Sequence, residues 1–482
     1  MTSSGRSTLA SMKGASIRLD ILRLPWLGVL LRRRYGRLLF QIPLLLLLLL
    51  VIYDGFTGPQ LAPANSATVL AWVHYRGLVI LGLLVFGNAF CMGCPFTLPR
   101  TLAHRLSLHG GRWPRRLRNK WIAIGGLLLI FWLYEWLDIW ASPLLTAWLA
   151  LAYLVLAFAL EAFFAESPFC KYVCPLGAFN FTYAAISPFQ IQTRFAEVCH
   201  ACQGKECVRG SKETPGCGTN LYVPMIQSNM DCTFCLDCAR ACPYDNVALG
   251  LRSPIQESAR LRWPRRWSLS LMVICLAFMG LMNAFGMVPP VYALLDWLNA
   301  SLHLHSEAVR LGLIFILGDF LIPAALAYGA AWVGVRWTGS RHPDGLKDLT
   351  AQYAPAFLPI GFGIWLAHYG FHFAIGGLSI LPVMQSFLLD HGLSWLGTQP
   401  NWELSTVIPI DWIFPLQVTA ILGGFLVSLY ALARRALQSD REPLLGLKEM
   451  IPWAVIVTAL VLLSLAVFNL PMEMRGTRMF GV

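Results

Sequence analysis

The stretch AWVHYRGLVILGLLVFGNAFCMGCPFTLPR, residues 71–100, decides the fold class. It begins as an apolar run of the length that crosses a bilayer, about 20 residues. It ends with two thiols, Cys91 and Cys94, and then with Arg100. An apolar run that leads into cysteines and arginine predicts a membrane span with a cysteine site at its end.

The composition of the whole chain agrees with a membrane location. Of 482 residues, 57% are hydrophobic and only 13% are charged, which is too apolar for an ordinary soluble domain. Counting apolar runs of sufficient length predicts an all-α polytopic membrane protein with about nine transmembrane helices. The runs lie near 38–56, 72–91, 121–140, 144–166, 267–288, 308–337, 351–376, 412–434 and 451–470.

Positive charges predict the orientation, because Lys and Arg are retained on the cytoplasmic side during insertion. Basic residues gather before the first span and after the second, sixth and eighth spans. They are Arg18, Arg23, Arg32, Arg33, Arg34 and Arg37; Arg100, Arg105, Arg112, Arg115, Arg116, Arg118 and Lys120; Arg336, Arg341 and Lys347; and Arg434, Arg435, Arg441 and Lys448. We therefore expect an inner (cytoplasmic) membrane protein with its N-terminus inside and its C-terminus outside. The net charge of +12 is then a topology signal more than a sign of nucleic-acid binding.

The cysteines are clustered. Of thirteen, twelve fall at 91–94, at 170–174 and between 199 and 242. All twelve lie on or beside the side assigned to the cytoplasm, where thiols stay reduced and disulfides are rare. Metal binding is the expected use. Cys275, alone in the fifth span, is expected to be a buried small apolar residue.

The most specific motif is CTFCLDCARACP, residues 232–243. It is the C-x2-C-x2-C-x3-C-P run of bacterial ferredoxins, formed by Cys232, Cys235, Cys238 and Cys242. A second group has longer spacing and no proline after its last member; it contains Cys199, Cys202, Cys207 and Cys217. Two [4Fe-4S] clusters are the predicted content, with a structural zinc site as the alternative. An exchange of fourth ligands, as in two-cluster ferredoxins, would give Cys242 to the second group and Cys217 to the first.

The thiols of the opening stretch have a counterpart. AFCMGCPFTLP at the end of the second span and SPFCKYVCPLGAF at the end of the fourth share the order Phe, Cys, Cys, Pro. Two helical hairpins that pack as a repeat would bring both pairs to one site. This predicts a third [4Fe-4S] cluster held by Cys91, Cys94, Cys170 and Cys174. A zinc site and two reactive redox pairs stay open as alternatives.

Hairpins that end in Cys-Pro motifs and precede a ferredoxin-type run resemble the polyferredoxin membrane proteins of the NapH and NosR type. More loosely, they resemble the cytochrome oxidase maturation proteins that share the module. The resemblance covers roughly residues 38–266; the first hairpin has C-x2-C-P where that family has C-x3-C-P, and no NosR-type flavin-binding domain is evident. It implies electron transfer between the quinone pool and a redox partner through the cysteines named above.

These patterns divide the chain into four predicted parts. We expect a basic cytoplasmic N-terminal segment at 1–37 and two transmembrane hairpins ending in Cys-Pro motifs at 38–166. An inserted cytoplasmic two-cluster ferredoxin-like module follows at 167–266. A five-helix transmembrane domain with a long outer loop, 377–411, completes the chain at 267–482.

Polar residues inside membrane spans are costly, so they are candidates for function. His368 and His372 are four residues apart in the seventh span and share a helix face. His303 and His305 fall in the outer loop before the sixth span, and Asp319 lies within it. A quinone site, a haem b site or a proton path would use such residues, and histidines that merely pack are the plain alternative. A haem would need a ligand on a facing helix, such as His74.

The sequence thus predicts a membrane-bound iron-sulfur electron-transfer protein, a subunit that links a quinone pool to a redox partner. That partner is a neighbouring subunit or a soluble electron carrier; no nucleic acid is expected, and whether the chain takes part in catalysis is left open. A metal-cofactor maturation protein or a redox sensor is the alternative function. No glycine motif for a nucleotide is present.

Overall fold

The computed structural model describes residues 17, 19–33, 35–98, 111–164, 167–259, 266–339, 345–438 and 442–472. Several basic residues used to predict the orientation lie outside these described ranges, together with the C-terminal Val482. They are Arg18, Arg34, Arg100, Arg105, Arg341 and Arg441. Helices make up most of the described chain.

Eight helical runs among the described residues are long and apolar enough to cross a membrane. A ninth, α3, is a shorter apolar helix. In chain order the nine are α1 Leu38–Thr57, α2 Ser66–Val85, α3 Trp121–Trp136, α4 Pro143–Phe163, α5 Trp267–Phe285, α6 Glu307–Thr338, α7 Leu346–Asp390, α8 Ile410–Leu437 and α9 Pro443–Phe468.

The third predicted span, 121–140, is shorter than expected. With 16 residues, α3 is about 24 Å long at 1.5 Å per residue, below the bilayer core of roughly 30 Å. It stops because Asp138 takes a left-handed conformation (φ 45°). The chain then passes through the short helix Ile139–Ala141 into α4, where the Ser142 side chain accepts the first-turn N–H of Leu145. Helices α3 and α4 therefore follow each other after a short turn, but they pack on different neighbours: α4 lies against α1, and α3 lies against α6.

The eight cysteines between 199 and 242 lie, along the chain, between the two strands of an antiparallel sheet. Strand β1, Phe189–Thr193, pairs with β2, Val247–Leu251, in a register that sets Ile191 opposite Leu249. We call residues 167–259 the cysteine-rich unit. N-terminal residues pack on it: Asp20 bonds Arg194 at 2.8 Å.

The second half of the chain packs around α5, in which almost every residue is buried. Helices α6, α7 and α9 contact it, and α8 lies against α7. The predicted outer loop, 377–411, is partly helical. Its first part continues α7 as Gly377–Ser379 and Ile380–Asp390, because apolar residues such as Val383 are buried there.

Short helices fill the connections. They are Ile21–Arg23, Leu27–Arg32, Ala62–Ala64, Ala89–Gly93, Pro95–Thr97, Arg115–Leu117, Ile139–Ala141, Phe169–Val173, Pro175–Tyr183, Ala184–Ile186, Ala196–Ala201, Glu206–Arg209, Val223–Met225, Asp237–Ala241, Ile255–Ala259 and Pro289–Leu302.

Candidate functional site

Cysteine group A consists of Cys199, Cys202, Cys207 and Cys242, which line one small cavity of about 20 Å³. Asn246 contacts two of the sulfurs. Its side-chain N–H donates to Cys199 Sγ at 3.2 Å, and its backbone N–H donates to Cys242 Sγ at 3.4 Å. Burial raises the pKa of the Cys199 and Cys207 thiols, and the nearby Cys242 raises it further. The fold thus brings Cys242 to the three cysteines that precede it by 35 residues or more.

Cysteine group B consists of Cys217, Cys232, Cys235 and Cys238. The thiol of Cys217 acts electrostatically on each of the other three. The chain curls around them because Asp231, Phe234 and Leu236 all have positive φ angles, between 54° and 63°. This curl lets the backbone of Phe234 hydrogen-bond the Cys232 sulfur. Burial, followed by the negative charge of Asp237, raises the pKa of Cys235 to about 11.

Cysteine group C consists of Cys91, Cys94, Cys170 and Cys174, just beyond the ends of α2 and α4. All four thiols are close enough to interact electrostatically. The N–H of Gly177 donates to Cys174 Sγ at 3.2 Å, and Asn180 Nδ2 lies 3.6 Å from Cys91 Sγ. Burial raises the pKa of Cys91 to about 11 and that of Cys174 to about 12. The segments that follow α2 and α4 therefore bring their cysteine pairs together.

The three groups lie in the order A, B, C. The backbone N–H of Cys217 donates to the carbonyl of Cys207 at 3.0 Å, which joins A to B. The side chain of Asn88 donates to the carbonyl of Cys232 at 2.8 Å, and the Cys91 and Cys232 thiols interact electrostatically, which joins B to C. Group A is partly exposed, whereas three members of group C are buried. Within the described residues, no three His, Cys, Asp or Glu side chains are arranged to hold a single metal ion.

An apolar cavity of about 640 Å³ adjoins group C. Helices α1 to α4 and α7 supply its wall, together with Pro95 and Pro175, which follow cysteines of group C. Tyr75 in the wall acts electrostatically with Cys91 and Cys174. Leu47 and Leu78 belong both to this wall and to the exposed surface. The cavity therefore opens between α1 and α2 on the outside of the helix bundle.

Arg76 is the one permanently charged side chain among the described residues that line this cavity. It is only 6% exposed. Its guanidinium carbon lies 4.5 Å from the ring centre of Trp72, 4.4 Å from that of Tyr134 and 5.1 Å from that of Tyr369, so three aromatic faces stabilise the charge. Its Nη1 also donates to the Tyr134 hydroxyl at 3.1 Å. Arg76 was not among the predicted site residues, although an arginine inside the predicted span 72–91 was the available signal.

Two of the four predicted histidines come together. The rings of His368 and His372 are 4.9 Å apart and nearly perpendicular. Both side chains are buried, and within the described chain neither ring nitrogen of His368 has a hydrogen-bond partner. They are not in the cavity wall, but they interact electrostatically with Arg76.

The other two histidines lie elsewhere. His303 ends the helix Pro289–Leu302 with a positive φ angle of 53°, and His305 contacts Asn299 at 3.1 Å; both are exposed. None of the contacts described for them reaches His368 or His372. Both ring nitrogens of His74, the suggested haem partner, are within hydrogen-bond distance of backbone carbonyl oxygens: that of Val69 at 3.1 Å and that of Gly377 at 2.8 Å.

Comparison with known proteins gives one partial match. Over 127 residues the chain is 32% identical to the curated Escherichia coli (strain K12) protein named "Putative electron transport protein YccM". The match covers 26% of this chain and 32% of that protein, so the chain spans about a third of the length of the relative it matches. No protein-family model and no solved structure matches.

Proposed function

We propose that this chain is a membrane electron-transfer protein whose cysteine groups A, B and C each bind one [4Fe-4S] cluster. The observation that carries the proposal is the gathering of twelve thiols, from distant parts of the chain, into three groups of four. A relative named for electron transport supports the general role. Eight long apolar helices support a multi-pass membrane location.

The residues of each group fit the chemistry of such a cluster. A [4Fe-4S] cluster takes four cysteine thiolates, one at each iron corner, so its ligands surround a body larger than a single ion. Hydrogen bonds to the sulfurs and burial tune the cluster potential, and N–H donors from Asn246, Gly177 and Leu221 already point at sulfurs. Buried neutral thiols would lose their protons on binding iron. Bound clusters would carry single electrons, and this chain would hold and insulate them.

The order of the groups supports an electron route through the molecule. Group A is the partly exposed end, where a redox partner subunit or a soluble carrier would exchange electrons. Group C is the buried end and adjoins the large cavity. Electrons would pass from one end to the other through group B.

For the membrane end we propose a quinone in the 640 Å³ cavity. The volume lies in the usual range for ligand pockets, roughly 300–1,000 Å³, its wall is apolar, and its mouth faces the region that lipid would occupy. The resemblance to the NapH and NosR type implies the same substrate class. A haem b ligated by His368 or His372 is the competing cofactor, and a haem band in the visible spectrum of the purified protein would support it.

Iron content tests the proposal. Protein purified without oxygen is expected to contain about twelve iron and twelve labile sulfide per chain. Replacing Cys91 and Cys170 by Ala removes two ligands of group C and should leave about eight of each. The matched control is Cys275→Ala, because Cys275 is buried in α5 away from the groups and should keep all twelve. Zinc in place of iron, or an unchanged iron count in the double variant, would contradict the proposal.

A further inference from the structure

We infer that Arg76 recognises the head of the cavity ligand, and that this head carries oxygen atoms that accept hydrogen bonds or bear negative charge. An apolar tail would follow the leucine-lined wall toward the mouth between α1 and α2. The inference rests on the proposed function and deepens it, because it assigns the contact that selects the ligand. Carbonyl and phenolate oxygens of a quinone-type ring fit this description.

The first argument is the hydrogen-bonding capacity of Arg76. A guanidinium has five N–H donors and no acceptor. Among the described residues, the Tyr134 hydroxyl is the one acceptor found for it. The three rings around it stabilise the charge but accept no conventional hydrogen bond, so donors remain for a ligand in the cavity that Arg76 lines.

The second argument is rigidity. The guanidinium is enclosed by Trp72, Tyr134 and Tyr369, which come from α2, α3 and α7. Trp72 is fixed in turn by a hydrogen bond to Thr146 of α4, at 2.9 Å. A charged group held in place before binding costs little ordering entropy when the ligand arrives.

The third argument is depth, which separates a quinone from a lipid headgroup. Arg76 is ten residues beyond Ser66, the first residue of α2, and α2 has 20 residues. At 1.5 Å per residue, Arg76 lies roughly 15 Å along the helix, close to the middle of a 30 Å core. The phosphate of a phospholipid stays at the edge of that core, whereas a quinone ring can enter it.

Recognition by Arg76 predicts how the affinity for the ligand depends on pH. A guanidinium stays charged throughout the physiological range, while an ordinary imidazole titrates near 6.5. The titratable groups around Arg76 are Tyr75 beside it on α2, Tyr134 and Glu135 on α3, and His368, Tyr369 and His372 on α7. Head recognition by Arg76 should therefore give the same affinity at pH 6 and pH 8 for a probe that stays ionised.

The test uses the full-length, cluster-loaded protein and a 2-hydroxy-1,4-naphthoquinone with an alkyl tail, with binding measured by equilibrium dialysis. Arg76→Leu should weaken binding roughly 10- to 100-fold, the range for losing hydrogen bonds to a charged group. The matched control is Arg310→Leu. Arg310 is a second arginine of the helical bundle, on α6, which bonds the Leu295 carbonyl at 2.9 Å, and its loss should leave binding unchanged.

A second variant blocks the cavity without touching the charge. A Cβ at Gly82 in the cavity wall would meet no atom within 4 Å, so Gly82→Phe should fold, keep its iron and lose most probe binding.

Equal binding by Arg76→Leu and the Arg310 control would overturn the inference. So would affinity that falls from pH 6 to pH 8, which would transfer recognition to the histidines, or a phospholipid as the molecule extracted from the purified protein. Protein without iron would instead refute the proposed function, and normal iron with unaltered probe binding refutes the Arg76 inference alone.

Discussion

Single side chains around the cysteines decide how each proposed cluster would behave. The side chain of Asn246 in group A has two roles, because it hydrogen-bonds the backbone of Phe195 as well as the sulfur of Cys199. Asn180 in group C has fewer contacts. Its amide nitrogen contacts Cys91 Sγ, and its amide oxygen has no partner within the described chain. Replacing Asn180 therefore removes one donor to sulfur and little else.

Asn180→Leu should lower the reduction potential of the group C cluster and of no other. An N–H donor stabilises the reduced cluster, which carries more negative charge, so its loss favours the oxidised form. A hydrogen bond worth roughly 0.5–1.5 kcal/mol corresponds to about 20–60 mV for one electron. A redox titration followed by electron paramagnetic resonance measures the shift. The two other clusters are the internal control; a shift in all three, or in none, would contradict the assignment of Asn180 to this site.

At the scale of elements, apolar run length predicted where most membrane helices lie but not their ends. Helix α2 starts at Ser66 rather than near residue 72, because the Asn65 side chain accepts the N–H of Ala67 at 2.8 Å and caps it. The helical part of the 377–411 segment was missed because it mixes polar and apolar residues. Run length reports burial in lipid, whereas caps and turns depend on single polar contacts.

The turn after Cys174 gives a prediction for an element. The helix Pro175–Tyr183 starts at this cysteine, and a Cβ on Gly177 would come within 2.7 Å of the Cys170 carbonyl oxygen. Since that atom belongs to the backbone, it cannot move aside without shifting a cysteine of group C. Gly177→Ala should therefore lose the group C cluster, giving about eight iron instead of about twelve.

The control for this change is Gly125→Ala in α3, where an added Cβ meets nothing within 4 Å. It should keep all the iron, and its helix should gain up to about 1 kcal/mol in propensity. If the Gly177 variant kept its full iron, the tight approach of Gly177 to Cys170 would not matter for cluster binding.

At the scale of the molecule, the cysteine groups were easier to anticipate than the cavity. The motif at 232–243 contains four closely spaced cysteines, and the exchange of Cys217 and Cys242 between the two predicted clusters was expected from the ligand pattern of two-cluster ferredoxins. The cavity instead depends on how five helices from two halves of the chain pack. Tyr369 meets Arg76 from almost 300 positions away, and no spacing rule connects them.

The described contacts place the N-terminal segment and the cysteine-rich unit on the same side of the membrane. Asp20 bonds Arg194, and Arg240 donates to the Leu31 carbonyl at 3.3 Å. The start of α3 is tied to the same unit, because Lys120 pairs with Asp231 at 2.7 Å in a buried ion pair. The short helix α3 thus begins beside the unit into which the long helix α4 leads.

The topology prediction therefore depends on whether α3 and α4 both cross the membrane. If α3 crosses the membrane despite its length, α1 to α4 return the chain to its starting side, and the basic residues around them make that side cytoplasmic. The five later spans then carry the C-terminus to the outside. Alkaline phosphatase, which is active only outside, should be inactive when fused after residue 260 and active after residues 60, 140 and 480. Inactivity after residue 140 with activity after residues 60 and 260 would mean that α3 does not cross. Inactivity after residues 60 and 140 with activity after residue 260 would reverse the orientation, and the cysteine groups would then lie in an oxidising compartment, where disulfides compete with clusters.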